Sequence, residues 1–197
     1  MCGICDGTID VTTAVLVDCS NCSNIKSLPV EMPMVKFLRI DGTQITSIPS
    51  YSKLEGLYMM NCSVRSLPDF PKLKKLNARN ARVTSIPDTL YQLEFLDVSN
   101  TKVSTVPSSL ISLIVLKMSG CKSLTDVSSK LINLESLIVD GTGLTKVNSL
   151  MSLTYINISD TSVTELVGLP SLRKVVAKNC SIGDPFSLIE LGIDVTM

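Results

Sequence analysis

Leu93 to Pro107, with the sequence LEFLDVSNTKVSTVP, is the stretch that recurs along almost the whole chain. As a template it is L-x-x-L-x-V-x-x-T-x-V-x-x-V-P. This spacing fits neither the 3.6-residue period of a helix nor the strict alternation of a long strand. It predicts one short strand, a tight bend and an extended return segment. The apolar positions that carry the pattern are Leu93, Leu96, Val98, Val103 and Val106.

The second leucine of the template returns every 19 to 21 residues. A fixed period in this range is typical of a solenoid, in which each unit buries its apolar side only against stacked neighbours. We therefore expect these residues to lie one above another on parallel strands about 4.8 Å apart. The nine positions are Val17, Leu38, Leu57, Leu76, Leu96, Leu116, Leu137, Ile156 and Val175.

The repeats resemble the leucine-rich repeat in its short form of about twenty residues, as in bacterial effector proteins. The resemblance covers residues 14–197 and implies an α/β-type leucine-rich-repeat solenoid. Its parallel β-strands would line the concave face, with an extended or 3₁₀ convex face and little or no α-helix. Residues 1–13 fall outside the repeat and are expected to form an N-terminal cap. The domain would hold about nine repeats and a truncated final strand in the segment from Leu188 to Val195.

The return segments divide the chain into two halves. From the second to the fifth unit each return ends in an apolar residue followed by proline, as in Ile48-Pro49 and Val106-Pro107. Proline removes a backbone N–H and forbids a helix, which suits an extended return. After Val127 the prolines stop. We expect the returns of the C-terminal half to be less regular.

One column departs from the usual leucine-rich pattern, because small residues replace the Asn of the bend. They are Cys22, Thr43, Cys62, Ala81, Thr101, Cys121, Thr142, Thr161 and Cys180. Their side chains are predicted to hydrogen-bond backbone groups of the bend. This version, with runs such as DGTQITSIP, also resembles repeat proteins of large DNA viruses of amoebae, Marseillevirus-like viruses among them. A viral origin would place the protein in the host cell cytoplasm or the virion.

Seven cysteines raise the questions of disulfides and of metal. The four cysteines of the small-residue column lie at least two units apart, about 10 Å, which is too far for a disulfide. Cys2, Cys5, Cys19 and Cys22 also form a C-x₂-C-x₁₃-C-x₂-C pattern close to a zinc ribbon. The repeat itself accounts for Cys19 and Cys22, so we predict no metal site. A zinc-binding cap remains the alternative if Cys2 and Cys5 fold back over the first unit.

Composition and motifs restrict the class of function. Lys plus Arg and Asp plus Glu both number 18, so no bulk charge would attract nucleic acid or an acidic membrane surface. No signal peptide or membrane-spanning run is present, and we expect a cytoplasmic protein. Without any His, and without a phosphate-binding glycine loop, enzyme activity and cofactors are not expected. The recurring Asp41-Gly42 and Asp140-Gly141 are predicted to form bends.

Outward-facing strand residues would form the concave face, and exposed aromatic residues and Met beside Arg are residue types that anchor interfaces. One predicted binding cluster contains Phe37, Arg39, Tyr58 and Met60; a second contains Phe95, Val115, Ile138 and Tyr155. The alternative is that these residues only favour strand structure and pack against one another. We predict a module that binds a partner protein through the concave face. The rival prediction is a structural or assembly protein, such as a viral particle component, that forms a homodimer through its open C-terminal edge.

Overall fold

The computed structural model describes residues 2–197, and Met1, the first residue of the predicted cap, lies outside the described residues. The described residues form a stack of short parallel strands with one short helix, α1 (Pro185–Glu190), near the C-terminal end. The strands are β1 (Leu16–Asp18), β2 (Phe37–Arg39), β3 (Gly56–Tyr58), β4 (Lys75–Asn77), β5 (Phe95–Asp97), β6 (Val115–Lys117), β7 (Ser136–Ile138), β8 (Lys146–Asn148), β9 (Tyr155–Asn157), β10 (Glu165–Val167), β11 (Lys174–Val176) and β12 (Asp194–Thr196).

Ten of these strands form one parallel sheet in the order β1-β2-β3-β4-β5-β6-β7-β9-β11-β12. Its register is the predicted one, because Val17 pairs with Leu38, Leu38 with Leu57, and so on to Val175. All nine side chains of that column are completely buried. Each stabilises the fold by roughly 1.5 to 3 kcal/mol, and only when both neighbouring units are in place.

A left-handed residue follows each of the first nine strands of the ten-stranded sheet and turns the chain into its bend. Its φ lies between 56° and 71°, a region that only Gly, Asn and Asp enter at low cost. The nine residues are Asn21, Gly42, Asn61, Asn80, Asn100, Gly120, Gly141, Asp160 and Asn179. The bends predicted at the two Asp-Gly pairs are therefore confirmed. Where Asn side chains are adjacent they bond to each other, as Asn80 Nδ2 does to Asn61 Oδ1 at 2.9 Å.

The Cys and Thr column that comes next bonds to the bend backbone, as predicted. Thr43 Oγ1 donates to the carbonyl oxygen of Ile40 at 2.8 Å, and the thiol of Cys62 in the following unit donates to the same oxygen. The pair Thr101 and Cys121 does the same at Val98. Each buried carbonyl thus gains a partner from two units. All seven cysteines, the four of this column included, are free thiols.

The expectation of less regular returns in the C-terminal half is wrong. There β8 and β10 pair in parallel as a second, two-stranded sheet, with Val147 opposite Leu166, and the Ser149 N–H donates to the Val167 carbonyl at 2.9 Å. Asn148 and Val167 occupy positions that proline fills in earlier units. Backbone N–H groups are therefore free to pair where proline would remove a donor.

The predicted truncated strand from Leu188 to Val195 is also wrong in part. Its first residues belong to α1, and only β12 continues the sheet, with Val195 opposite Val175. Asp184 starts the helix, because its carboxylate accepts hydrogen bonds from the N–H groups of Phe186 and Ser187, and Pro185 suits the first turn. An Asp-Pro pair before an apolar run is the sequence signal that the strand prediction overlooked.

The single helix of residues 2–197 has six residues, and no helix in this range is long and apolar enough to cross a membrane. Residues 2–13 form turns that lie against the first unit, where Ile4, Cys5 and Val11 pack partly on the core. The core continues from there as one apolar column to Ile193.

Candidate functional site

The concave face is formed by the first and third residues of the strands of the ten-stranded sheet, because the middle residue points into the core. Seven of the eight residues of the two predicted clusters are such strand residues, and Met60, two positions after β3, lines the same depression as Phe37, Arg39 and Tyr58. They are at least partly accessible to solvent, which leaves them free to contact a partner. The two clusters differ in shape, and we describe them separately.

Phe37, Arg39, Tyr58 and Met60 line one depression of about 470 Å³ near the N-terminal end of the face. Arg39 pairs with Tyr58 across neighbouring strands. Leu16 and Asn77 extend the depression to β1 and β4. The Leu16 side chain is 63% exposed and that of Phe37 is 37% exposed. The apolar side chains of Leu16 and Phe37 are therefore accessible to solvent next to the charged side chain of Arg39.

Asp41 fixes the charged side of this groove. Its carboxylate accepts from Arg39 Nε at 2.7 Å and from the Met60 N–H at 2.7 Å. Asp41 is almost fully buried, whereas the Arg39 side chain is half exposed. The hydrogen bond with Asp41 raises the pKa of Arg39. The guanidinium is thus held in place while part of it still faces solvent and can bond to a carboxylate or carbonyl of a ligand.

Gly56 lies beside this groove and shapes it, which the sequence reasoning missed. A Cβ on Gly56 would lie 2.8 Å from Cδ1 of Phe37 and 3.4 Å from Cε2 of Tyr58. The absence of a side chain therefore lets the Phe37 ring lie over the neighbouring strand. A glycine inside a strand often marks such a close approach, and that was the available signal.

The second predicted cluster is spread over more strands. Phe95 and Val115 are register partners, and Ser136 separates Val115 from Tyr155 in the same column. Ile138 lies in the other outward column, next to Lys117. The Lys117 ammonium lies 5.6 Å from the centre of the Phe95 ring, within range of a cation–π contact. These residues form an apolar patch with one cation.

Two further surfaces lie on the flanks of the solenoid and were not predicted. The first, which we call the basic groove, has a volume of about 510 Å³ and includes Arg65, Arg82 and Lys102. The total charge of the chain is balanced, so composition alone does not indicate this local excess of positive charge. The second is an apolar stripe on the turns before four successive strands, each side chain about half exposed: Tyr91, Ile111, Ile132 and Met151.

The N-terminal turns bring Cys2, Cys5 and Cys22 together, so that their three sulfur atoms lie within 4.8 Å of one another. The Cys2 and Cys5 sulfurs are 3.6 Å apart, as are those of Cys5 and Cys22. Burial raises the pKa of Cys5 to about 12, and hydrogen bonds with Cys2 and Cys22 add to this. Burial also raises the pKa of Cys19, and a hydrogen bond with Cys2 contributes.

Cys22 behaves differently from the other cysteines of this group. Burial acts to raise its pKa, but hydrogen bonds from the Cys2 thiol and from the N–H groups of Cys2 and Asn24 outweigh burial and lower the pKa to about 6. The prediction that no metal binds here is not tested by this geometry, but the cap does fold back as the zinc alternative requires.

No protein-family model matches the sequence, and no curated protein matches it. Among solved structures the chain is similar to the functional domain of InlJ from Listeria monocytogenes, which includes a cysteine ladder. The TM-score is 0.70 and the identity 20%, over 94% of this chain and 49% of that one. A leucine-rich-repeat protein of Leptospira interrogans gives a TM-score of 0.62 at 15% identity, over 89% of this chain and 65% of that one.

YopM from Yersinia enterocolitica is similar with a TM-score of 0.61 and 22% identity, over 86% of this chain and 48% of that one. The chain therefore spans about half the length of the InlJ and YopM structures. Identities this low show the fold alone. The chain is a leucine-rich-repeat solenoid of about nine turns, with parallel strands and almost no helix.

Proposed function

We propose that this protein is a non-enzymatic module that binds a partner protein through its concave face. The groove formed by Phe37, Arg39, Tyr58 and Met60 is the observation that carries this proposal. A rigid sheet holds the groove, so that little conformational entropy is lost when a partner binds. Exposed aromatic rings next to a fixed guanidinium are the residue types that supply most of the energy at interfaces.

The size and charge of the face also support a protein partner. Ten stacked strands about 4.8 Å apart give a surface about 40 Å long, enough for an interface of about 800 Å² on each partner. Its first groove is mainly apolar with one ion pair, a composition better suited to a protein surface than to a phosphate backbone. The second cluster would extend the contact toward the C-terminal half.

Site-specific cross-linking tests the position of the interface. A photo-reactive amino acid replaces Tyr58 or Tyr155 on the concave face, or Tyr91 on the flank as a matched control of the same residue type. In cells that naturally make the protein, we expect one common adduct from the two concave positions and none from Tyr91. An adduct from Tyr91 alone, or an RNA adduct at the concave positions, contradicts the proposal.

Substitution of the two clusters tests which of them provides the affinity. Phe37→Ser with Tyr58→Ser should abolish capture of the cross-linked partner, and Phe95→Ser with Tyr155→Ser should do so as well. Arg82→Ser with Lys102→Ser in the basic groove is the control and should leave capture unchanged. Circular dichroism and thermal unfolding of each variant exclude loss of the fold. Unchanged capture by both concave variants would refute binding through this face.

A structural or assembly role is the second candidate, and the surface of α1 favours it. Phe186, Ile189 and Leu191 are 74%, 54% and 77% exposed and lie next to the last strand of the sheet. Edge strands pair readily with other chains, and an apolar surface beside one would strengthen an end-to-end contact. Sedimentation at increasing concentration tests this. A dimer that disappears in Phe186→Ser with Leu191→Ser supports it, and a constant monomer mass contradicts it.

We further propose that the protein works in the cytoplasm, where seven free thiols would stay reduced. The small-residue pattern of the bends is what supports a viral source and a place in the infected cell or the particle. Fractionation of source cells, with an antibody against the chain, tests the location. The protein should appear in the cytoplasmic or particle fraction, whereas a secreted protein would appear in the medium.

A further inference from the structure

We propose that the N-terminal cap binds one zinc ion through the sulfur atoms of Cys2, Cys5 and Cys22, with Cys19 as the fourth ligand. Such a site is independent of the concave face. It gives a function to the two cap cysteines that the repeat does not explain, because Cys2 and Cys5 precede the first unit.

Both C-x₂-C segments have the same local backbone structure. The Cys5 N–H donates to the Cys2 carbonyl at 2.8 Å, and the Cys22 N–H donates to the Cys19 carbonyl at 3.1 Å. Each segment is thus a tight turn that brings its two cysteine side chains to one side. Two such turns facing each other are what a four-cysteine site needs. The first turn belongs to the cap and the second to the bend after β1.

The sulfur separations fit a tetrahedral ion. Zinc binds thiolate sulfur at about 2.3 Å, so two ligands at a tetrahedral angle lie about 3.8 Å apart. The observed Cys2–Cys5 and Cys5–Cys22 separations are both 3.6 Å. The three sulfurs lie within 4.8 Å of one another, so a single ion can contact all three after small side-chain rotations.

Cys19 would be the fourth ligand, and its side chain must rotate toward the other three, because its sulfur is not among those that lie within 4.8 Å of one another. It is fully buried and begins the second C-x₂-C turn, which ends at Cys22. Alternative ligands are scarce, because the chain contains no His. The inward position that Cys19 fills is occupied by Ile40 and Met59 in the next two units, so thiol chemistry is not required for packing there. All four sulfurs bind zinc as thiolates, so each thiol that is still protonated before binding loses its proton to solvent, and no electron is transferred.

The ion would attach the cap to the end of the solenoid. Residues 2–13 contain no strand, and their contact with the core depends on a few partly buried side chains. The end of a repeat array needs cover for its apolar side. Two ligands before β1 and two after it would connect the cap to the first bend and hold it over Val17, which is fully buried.

Cobalt titration of the reduced, metal-free full chain tests the site. Co²⁺ is the probe because tetrahedral cobalt thiolates have characteristic visible and charge-transfer bands. We expect these bands to saturate at one equivalent and to be displaced by Zn²⁺. Cys2→Ser with Cys5→Ser, outside the repeat, should abolish them, and Cys19→Ser should weaken binding at least about tenfold. Cys62→Ala with Cys121→Ala is the matched control and should bind normally, since Ala81 already occupies that column.

Two other results would overturn the proposal. Mass spectrometry after alkylation in intact cells reveals whether any cap cysteine is in a disulfide, and a disulfide among these four cysteines excludes the site. Absence of cobalt bands in fully reduced wild-type protein excludes it equally. Hydrogen exchange gives an independent readout, because zinc should slow exchange in residues 2–18 of the wild type and not of the Cys2→Ser, Cys5→Ser variant.

Discussion

The two halves of the solenoid share one buried core but differ in their return segments. The register column from Val17 to Val175 is unbroken and completely buried. In the N-terminal half the returns end in proline and form no strand, whereas in the C-terminal half β8 and β10 pair as a second sheet. The stack is therefore set by the strand side chains. The return adopts whatever structure its backbone N–H groups allow.

The concave faces of the two halves also differ. In the N-terminal half Gly56 lets the Phe37 ring lie over β3, and a groove results. In the C-terminal half Ser136 occupies the same column between Val115 and Tyr155, and the apolar side chains form a patch. The glycines of the two halves consequently have different neighbours. Gly56 faces an aromatic side chain, whereas Gly143 faces backbone carbonyl oxygens.

Leu96→Asp should have the largest effect, because it places a charge in the column that joins the halves. Loss of a buried leucine costs about 2 to 5 kcal/mol, and the unpaired carboxylate adds to this. Coupling between units should fail at β5, so urea unfolding should split into two transitions, each reporting one half. Lys75→Asp, at the exposed first position of β4, is the control and should change the free energy of unfolding by less than about 0.5 kcal/mol. A single unshifted transition for Leu96→Asp contradicts nearest-neighbour stacking.

Gly143→Ala should lower stability in the C-terminal half. Its Cβ would lie 2.8 Å from the Lys122 carbonyl oxygen and 3.1 Å from that of Leu124, and backbone moves less readily than side chains. We expect a loss of about 1 to 3 kcal/mol in the free energy of unfolding, measured by urea denaturation. Wild-type stability for Gly143→Ala would show that the units are not packed this closely.

Gly56→Ala should act on binding and hardly on stability. The new methyl displaces only the Phe37 ring, which can rotate toward solvent. We expect a stability change below about 1 kcal/mol, together with a clear loss of cross-linking at Tyr58. Retained cross-linking at Tyr58 with Phe37 displaced would mean that binding does not depend on the position of the Phe37 ring.

The sequence predicted the repeated part of the fold because each buried column recurs at a fixed interval. It predicted less where residues occur once. The zinc alternative depended on whether residues 2–13 fold back over the first unit. Contacts of Ile4 and Val11 with the core hold them there, and these residues lie outside the repeat, so its period could not predict their position. The basic groove arises because Arg65, Arg82 and Lys102 belong to different units and meet only in the folded chain. The left-handed residues, such as Asn61, also recur in the sequence as a column of Asn, Gly and Asp. The prediction considered the neighbouring Cys and Thr column and did not recognise that this one sets the backbone conformation of the bend.

Val167→Pro should have a local effect, confined to the β8–β10 pairing, and it tests directly why the returns differ. Val167 lies opposite Asn148, and its carbonyl accepts the Ser149 N–H at 2.9 Å. In parallel pairing such a residue also donates its own N–H to the neighbouring strand, and proline removes that donor. Because Val167 is 57% exposed, little apolar packing is lost, and we expect a cost of about 1 kcal/mol.

Hydrogen exchange at Ser149 gives the decisive readout for Val167→Pro. Its amide should lose protection when the β8–β10 pairing weakens, while amides of the ten-stranded sheet keep theirs. Val167→Thr retains the N–H and a β-branched side chain, so it should leave Ser149 protected. If proline at 167 leaves Ser149 protected, the donor hydrogen does not decide the pairing. The contrast between the halves would then have to come from the side chains of β8 and β10, of which Val147 is the buried member.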